Sequence, residues 1–308
     1  MPVHAIPLAE LAHGLPPSFE RARSWCALLE AGSILYFPRT PLPIPAPDLE
    51  FLLSRRQEAS PLHKNIAYQP VHDALCGLEE NQISEGESSR FRETMRRYST
   101  AVASFLADFL LPYRERWQLD YASFRPFEER GRQLPMHKRN DLLHTDAFPT
   151  RPTHGARILR FFHNIHPSRT RDWVITEPFP QLVSRFAPHP LPLPRAEGAA
   201  ARCFKALAEL TGITSVLPGL KRTPYDAFMM RLNNAMKEDS EFQSHCPREE
   251  VRFAPGSSWM VYTDTVPHAV LAGQFALEQT LLVDAGAMVH SETAPVAVLE
   301  RLTGAKVA

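Results

Sequence analysis

A histidine and an aspartate two positions apart, His144 and Asp146, are the residues of this 308-residue sequence that most clearly suggest chemistry. Side chains at positions i and i+2 of a strand point to the same face, so the imidazole and the carboxylate would converge on one point. One more imidazole from a neighbouring strand would complete a face of two histidines and one carboxylate, which leaves three positions of an octahedral Fe(II) open. Open positions suit an oxygenase, because a bidentate 2-oxo acid needs two of them and O2 needs the third.

The third ligand is predicted to be His268, which lies far along the chain from the first two. The His-x-Asp pair alone is a weak signal, because a chain with 13 histidines contains such pairs by chance as exposed or hydrogen-bonded neighbours. His268 strengthens the signal because it opens a short strand after a turn and the alternating segment WMVYTD (259–264). A sheet that folds back can bring this strand beside the first pair. We therefore predict His144, Asp146 and His268 as metal ligands and catalytic centre.

A 2-oxo acid also needs a cation for its distal carboxylate, and the segment GQFALEQTLL after the second histidine has no arginine or lysine. The strand ARILRFFHNIH (156–166) offers two arginines instead. Alternation puts Arg160 on the face of Asn164 and Arg157 on the other face. Arg160 is favoured, because some oxygenases use a basic residue on the strand that follows His-x-Asp; the alternative is a salt-bridged surface arginine. The predicted 2-oxo acid contacts are Arg160, Arg157, Asn164 and Gln279.

Charged residues balance over the whole chain but not locally. The sequence has 34 Lys and Arg against 34 Asp and Glu, which disfavours a generally basic protein that binds nucleic acid. Between residues 125 and 171, however, ten basic residues stand against four acidic ones. This stretch predicts either a mouth for an anionic substrate, since arginine suits carboxylates and phosphates, or an ordinary solvated face.

The elements that would position these residues predict an α+β fold with a double-stranded β-helix core of the jelly-roll or cupin-like type. Proline accounts for 29 of 308 residues, against a usual ~5%, which argues against an all-helical bundle. Residues 1–118 read as a mainly helical N-terminal layer, and 119–290 as jelly-roll strands interrupted by a helical insert at about 174–240. We predict one oxygenase domain over 1–308, with its longest helix from Ser88 to about Trp117.

The sequence also predicts a cellular setting. No window of 18 uncharged apolar residues occurs, and the first 17 residues lack the pattern of a secretory signal. The four cysteines are far apart and form no C-x-x-C pair, which excludes a zinc ribbon and fits a reducing compartment. We therefore expect a cytoplasmic protein.

Two longer blocks of the chain resemble one family. The segments LLHTDAFPTRPTHGARILRFFHNIHPSRTRDWVITEPF (142–179) and PGSSWMVYTDTVPHAVLAGQFALEQT (255–280) are similar to bacterial 3-deoxy-D-manno-oct-2-ulosonic acid (Kdo) 3-hydroxylases. The resemblance implies an Fe(II)/2-oxoglutarate-dependent dioxygenase that hydroxylates carbon 3 of Kdo in the lipid A-linked inner core of lipopolysaccharide to give Ko, with succinate and CO2 as co-products. It implies Fe(II) as cofactor, 2-oxoglutarate and O2 as co-substrates, and His144, Asp146 and His268 as the iron ligands.

The same resemblance implies an anionic glycolipid of the Kdo-lipid A type as partner. Because lipid A sits in the inner membrane, peripheral contact with its cytoplasmic face is expected. Two other functions stay open from the residues alone: a 2-oxoglutarate oxygenase for another small acid or protein side chain, and a non-oxidative cupin-like protein that binds metal or sugar. A third alternative is a structural protein in which the three ligands do not meet. The substrate contacts, the oligomeric state and the role of the insert are also open.

Overall fold

Two β-sheets form the centre of the fold in the computed structural model, which describes residues 2–7, 17–55, 65–77, 84–211 and 218–308. The strands are β1 Val3–Ala5, β2 Ile34–Phe37, β3 Ile66–Gln69, β4 Ala74–Cys76, β5 Trp117–Arg125, β6 Arg157–Asn164, β7 Arg171–Ile175, β8 Glu249–Phe253, β9 Ser258–Tyr262, β10 His268–Ala272 and β11 Ala276–Val283. The larger sheet has the order β1-β2-β9-β6-β11-β5-β3-β4, and the smaller has the order β10-β7-β8. Among these described strands the pairings are antiparallel except that of β1 with β2.

The two sheets pack face to face, because aromatic side chains on their inner faces interlock. Trp259 on β9 of the large sheet stacks on Phe253 on β8 of the small sheet, with ring centroids 3.8 Å apart. Its other face stacks on Phe162 of β6 at 5.2 Å, and Trp173 of β7 meets it edge to face at 5.6 Å. Facing sheets over a shared aromatic core confirm the predicted α+β fold with a cupin-like jelly roll.

Helices cover the outer face of the large sheet and one end of the jelly roll. Within the described ranges the helices are α1 Phe19–Glu30, α2 Ala46–Ser54, α3 Glu85–Phe109, α4 Phe179–Phe186, α5 Ala199–Leu210, α6 Pro224–Glu238, α7 Ser240–His245 and α8 Pro295–Thr303. Trp25 of α1 stacks on Phe109 of α3 at 4.0 Å, and Phe105 of α3 contacts Phe161 of β6. These contacts bury the apolar stripe of α3 against the sheet, as its periodicity predicts.

The longest helix ends earlier than predicted. α3 stops at Phe109, a short 3-10 turn follows at Leu111–Tyr113, and β5 already begins at Trp117. Pro112 explains the difference, because proline has no N–H to donate and its ring clashes with the preceding helical turn. The region predicted as a mainly helical layer also supplies β1 to β4, which lie at the two ends of the large sheet.

Helices α4 to α7 occupy the connection between β7 and β8, where a helical insert was predicted. The insert was expected at about 174–240, but β7 extends to Ile175 and β8 begins only at Glu249. The apolar run at 173–175 is too short for periodicity to distinguish a strand from a helix, which accounts for the missed strand. No helix in the described part of the chain is both long and apolar enough to cross a bilayer.

Candidate metal centre

Backbone hydrogen bonds bring the three predicted metal ligands together. The His144 N–H donates to the His268 carbonyl at 3.1 Å, and the His268 N–H donates back to the His144 carbonyl at 2.9 Å. The Asp146 N–H donates to the Thr263 carbonyl at 2.8 Å. The imidazole centroids lie 4.8 Å apart, and the ligand atoms of all three residues lie within 4.8 Å of one another.

The segment that carries the first two ligands is not the regular strand that its sequence predicts. His144 makes one isolated bridge, and no strand continues after it. Asp146 bonds to Thr263, which lies in the loop between β9 and β10, so no ladder can extend from the bridge. The two side chains still face the same point because each residue has its own backbone partner.

The tautomers of both histidines leave one nitrogen available on each ring. Nδ1 of His144 lies 2.7 Å from the Leu142 carbonyl, and Nδ1 of His268 lies 3.0 Å from the Val266 carbonyl. A carbonyl oxygen only accepts hydrogen bonds, so both Nδ1 atoms carry the proton. The lone pairs are therefore on the Nε2 atoms, as in metal sites where a second hydrogen bond orients the ring.

Burial and charge keep these groups in the forms that coordinate metals. Burial and the neighbouring His268 lower the pKa of His144 to about 3. Burial also lowers the pKa of His268. Burial acts to raise the pKa of Asp146, but the positive charge of the Arg160 guanidinium opposes it, and that pKa lies well below its ordinary value. The site thus presents two neutral imidazoles and a carboxylate.

An unsatisfied carboxylate oxygen indicates that this cluster fits a cation. Asp146 Oδ2 is buried and accepts no hydrogen bond. Arg160 Nε lies 3.0 Å from it but is not aligned for one. His144 Nε2 is 3.8 Å from Asp146 Oδ1, with no proton to share. Lone pairs that face each other in a buried site are costly unless a cation lies between them, so the residues fit a metal of the two-histidine, one-carboxylate type.

Arg160, the favoured cation for a 2-oxo acid, lies beside the metal ligands. Its Nη1 is 3.2 Å from Glu278 Oε2, and Arg125 donates to the same carboxylate oxygen from Nε at 3.0 Å. Glu278 therefore joins two arginines next to Asp146. Glu278 and Arg125 are not among the contacts that the sequence predicts for the 2-oxo acid. A signal was available in ALEQTLLV (276–283), where Glu278 is the one charged residue of an otherwise uncharged strand.

Arg157 points to the other face of β6, and the structure does not bring it to the metal ligands. It is fully buried, with Nε donating to Asp264 at 2.7 Å and Nη2 donating to the Thr265 hydroxyl at 2.9 Å. These bonds hold the loop whose Thr263 carbonyl receives the Asp146 N–H. Arg157 thus positions this loop, and because Asp264 neutralises its charge in the core, the structure does not favour Arg157 as a contact of the 2-oxo acid.

The structure also places Asn164 and Gln279 away from the metal ligands. Asn164 lies four residues from Arg160 on β6, or about 13 Å along the strand. Its amide donates to the Arg169 and Phe253 carbonyls. Gln279 is buried on the face of β11 opposite to its neighbour Glu278, and its amide donates to the Asp120 carbonyl. Both side-chain amides therefore stabilise the neighbouring backbone through hydrogen bonds to its carbonyls.

A cavity of about 600 Å³ is lined by two of the three predicted ligands, His144 and Asp146. Its charged lining residues are Arg125, Arg132, Lys138, Lys237 and Asp146. This excess of cations suits an anionic ligand. Three of the four cations come from the basic stretch 125–171. Other arginines of that stretch have partners elsewhere, because Arg171 contacts Glu129 in the core and Arg151 pairs with Asp120.

Helix α6 of the insert forms one wall of the cavity. Its apolar residues Phe228, Leu232 and Met236 are buried in a cluster with residues of α4 and α7. The α6 residues that line the cavity are Met230, Asn233, Asn234 and Lys237. Their spacing of i, i+3, i+4 and i+7 defines one helical face. The sequence contains both patterns at helical spacing, so the cavity-facing set could have been predicted from the sequence.

Comparisons with known proteins agree on one family. The sequence model of a family described as 3-deoxy-D-manno-oct-2-ulosonic acid (Kdo) hydroxylase matches residues 16–306. The apo structure of the Kdo hydroxylase KdoO, a non-heme Fe(II) α-ketoglutarate-dependent dioxygenase, is 34% identical, with a TM-score of 0.82 over 100% of this chain and 97% of that chain. KdoO in complex with α-ketoglutarate and Fe(III) is 33% identical, with a TM-score of 0.83 over 100% and 98% of the two chains. A search of curated protein sequences finds no match.

Proposed function

Because this chain belongs to the Kdo hydroxylase family, we propose that it hydroxylates carbon 3 of a Kdo residue linked to lipid A, giving Ko. It is an Fe(II)/2-oxoglutarate-dependent dioxygenase that acts on Kdo, as its relatives at 34% and 33% identity are. The observation that carries the proposed site is the convergence of His144, Asp146 and His268 at a cationic cavity. Kdo carries a carboxylate and lies next to the phosphates of lipid A, which matches the charge of that cavity.

We propose that His144 Nε2, His268 Nε2 and an Asp146 oxygen hold Fe(II). When bound, Fe(II) with 2-oxoglutarate and O2 supplies the oxidising power for hydroxylation of an unactivated C–H bond, with succinate and CO2 as co-products. The protein keeps the imidazoles oriented through their Nδ1 hydrogen bonds. Trp173 adds to this by stacking on the His268 ring at 4.9 Å. Ligands that are held in this way need little rearrangement when the metal binds.

Arg160, with Arg125 beside it, is the proposed partner of 2-oxoglutarate. Both guanidinium groups lie next to the metal ligands and are held by Glu278. Arginine presents several N–H groups in a planar fork that matches a carboxylate. Arg160 Nε lies 3.0 Å from Asp146 Oδ2 but makes no hydrogen bond to it, so the guanidinium keeps N–H groups for the 2-oxoglutarate carboxylate.

Replacing Arg160 with alanine should raise the 2-oxoglutarate concentration for half-maximal turnover about 10- to 100-fold. A hydrogen bond to a charged group contributes about 1.5–3 kcal/mol, which corresponds to that range. Succinate formation over a 2-oxoglutarate titration at saturating Fe(II) measures the effect. Arg116→Ala, which removes an exposed partner of Asp284, is the matched control and should leave the titration unchanged. If Arg157→Ala shifts the titration and Arg160→Ala does not, the assignment of the two faces is wrong.

The function is tested by incubating Kdo-lipid A with the enzyme, Fe(II), 2-oxoglutarate and O2. We expect the sugar to gain one oxygen atom at carbon 3, by mass spectrometry and NMR, with one succinate formed per hydroxyl group. Oxygen incorporated only into a free acid or a protein side chain would favour a different 2-oxoglutarate oxygenase. An absence of 2-oxoglutarate consumption, together with no visible charge-transfer band for the anaerobic Fe(II) complex, would favour a non-oxidative cupin-like protein.

We also propose that the enzyme meets its glycolipid at the cytoplasmic face of the inner membrane. Helix α5 supports this contact with an exposed apolar face. The exposed residues are Phe204, Leu207 and Leu210, at 60%, 59% and 86% of their surface. Lys205 of α5 donates to the Arg222 carbonyl, and Arg222 donates to the carbonyl of Pro149 at the cavity lining. An apolar face connected to the cavity would present the cavity to the lipid surface.

Replacing Phe204 and Leu207 together with serine should weaken binding to vesicles of anionic phospholipid at least about tenfold. Burial of such side chains contributes about 1.5–3 kcal/mol each, of which a surface-bound helix recovers part. Vesicle co-sedimentation measures the affinity. Leu302→Ser, on the exposed side of α8, is the matched control. Equal sedimentation of the α5 variant and the control would contradict α5 as the contact.

A further inference from the structure

Lys237 of α6 is a buried cation that the proposed iron and 2-oxoglutarate sites do not use. Only 6% of its surface is exposed, and it lies in the cavity wall. Its ammonium donates to the His137 carbonyl at 2.9 Å, and no carboxylate of the described residues reaches ion-pair distance. Burial lowers the pKa of Lys237 to about 8, although Asp146 and Asp141 act from a distance to raise it. A buried ammonium with one neutral acceptor is costly until an anion joins it.

The other cations of the cavity differ from Lys237 in this respect. Arg125 is 2.8 Å from Glu278, and Arg132 is 3.1 Å from Glu129. Lys138 is exposed, so water solvates its charge. Among the described lining residues, Lys237 therefore stands out as a buried cation that has no carboxylate within ion-pair distance. An anionic group of the ligand would stabilise this buried ammonium.

Helix α6 also has a fixed position relative to the metal ligands. The Asn233 amide donates to the Thr145 carbonyl at 2.6 Å, and Thr145 stands between His144 and Asp146. A group bound on the cavity face of α6 is therefore held at a set distance from the proposed iron. Hydroxylation of one ring carbon requires this kind of positioning.

We propose that Lys237 binds an anionic group of the substrate, either the Kdo carboxylate or a phosphate of lipid A, with Asn234 donating to sugar hydroxyls beside it. The inference rests on the proposed function and adds a residue that recognises a negative charge of the glycolipid. Asn234 lies one helical turn before Lys237 on the same face and also lines the cavity. The apolar face of α6 packs into the insert, so the insert would serve as the substrate-recognition element.

The first experiment compares Lys237→Met with wild type on Kdo-lipid A. We expect kcat/KM for the glycolipid to fall about 10- to 100-fold, as for the loss of a hydrogen bond to a charged group. The apparent KM for 2-oxoglutarate and the charge-transfer band of the anaerobic Fe(II) complex should stay the same, which a general structural defect would change. Lys306→Met is the matched control, because that lysine is 87% exposed and pairs with Glu300 at the surface.

The second experiment changes the substrate and separates the two sources of the anion. Wild type is assayed on Kdo-lipid A, on its Kdo methyl ester and on a form without lipid A phosphates. We expect one of the two modified substrates to lose about 10- to 100-fold in kcat/KM with wild type and almost nothing with Lys237→Met, because the partner is already absent. The substrate that shows this loss identifies the bound anion.

Several outcomes would overturn the inference. The inference fails if wild type has the same kcat/KM on all three glycolipids. It also fails if the modified substrates lower kcat/KM by the same factor in wild type and in Lys237→Met. A shift in the 2-oxoglutarate KM of the variant, with none for the glycolipid, would assign Lys237 to the co-substrate instead. If wild type consumes 2-oxoglutarate but oxidises none of the glycolipids, the proposed function fails and the inference fails with it.

Discussion

Alanine in place of His144 or Asp146 should reduce hydroxylation at least about a hundredfold, because each change removes a proposed ligand of the iron. Loss of an outer residue that only orients a ligand already costs about 10- to 100-fold in metal affinity or activity. The fold should persist. The bonds that position the segment run from backbone to backbone, between His144 and His268 and between Asp146 and Thr263, and do not need the side chains.

The measurement pairs turnover with metal binding. Equilibrium dialysis against Fe(II) without O2 should give one metal ion per wild-type chain and a large loss of affinity in both variants. Circular dichroism should report the same fold for all of them. His72→Ala, which removes an exposed histidine, is the control and should keep both activity and metal. Full turnover by His144→Ala or Asp146→Ala would exclude these residues as ligands.

Replacing Arg157 with methionine should lower the free energy of unfolding by about 3–5 kcal/mol, because it leaves the buried carboxylate of Asp264 without its partner. Arg157 is fully buried, and Asp264 is almost so. The guanidinium also lies over the Tyr262 ring at 4.0 Å, which adds a contact that methionine cannot replace. Asp264→Asn should have a comparable cost, since it leaves the guanidinium unpaired.

Denaturant titration of the metal-free protein measures this effect. Arg116→Met is the control, because its pair with Asp284 is exposed and such pairs contribute about 0–1 kcal/mol. The double variant Arg157→Met, Asp264→Leu should recover part of the loss, because no uncompensated charge stays in the core. Among folded molecules, the 2-oxoglutarate KM of Arg157→Met should match wild type. If Arg157→Met raises the 2-oxoglutarate KM without a loss of stability, Arg157 would instead be a contact of 2-oxoglutarate.

Local spacing explains why the convergence of His144 and Asp146 was predictable. His144 and Asp146 are two residues apart, and covalent geometry alone puts such neighbours on one side of an extended chain. The prediction survived the absence of a regular strand, because it depended on the extended backbone and not on a ladder. His268 was predictable because it opens a strand in a run of short strands, and the structure pairs it with His144.

The positions of Arg160 and Arg157 could be predicted only in part from the local sequence. Alternation separated Arg160 from Arg157, but it did not say which face of β6 lies beside Asp146. That choice depends on the register of β6 between β9 and β11. The bridge from Glu278 to Arg160 and Arg125 also joins residues of three strands, so no single segment contains its signal.

The sequence by itself determined the fold class, the ligand spacing and the family, because these follow from periodicity, covalent geometry and long matching blocks. Tertiary structure alone decided which charges are already paired. Arg157 forms an ion pair with Asp264, while Lys237 lines the cavity without a carboxylate partner among the described residues. The physical reason is that burial makes an ionic partner necessary, and the identity of that partner depends on how distant segments pack. A neutral chain could therefore contain a cationic cavity that composition does not reveal.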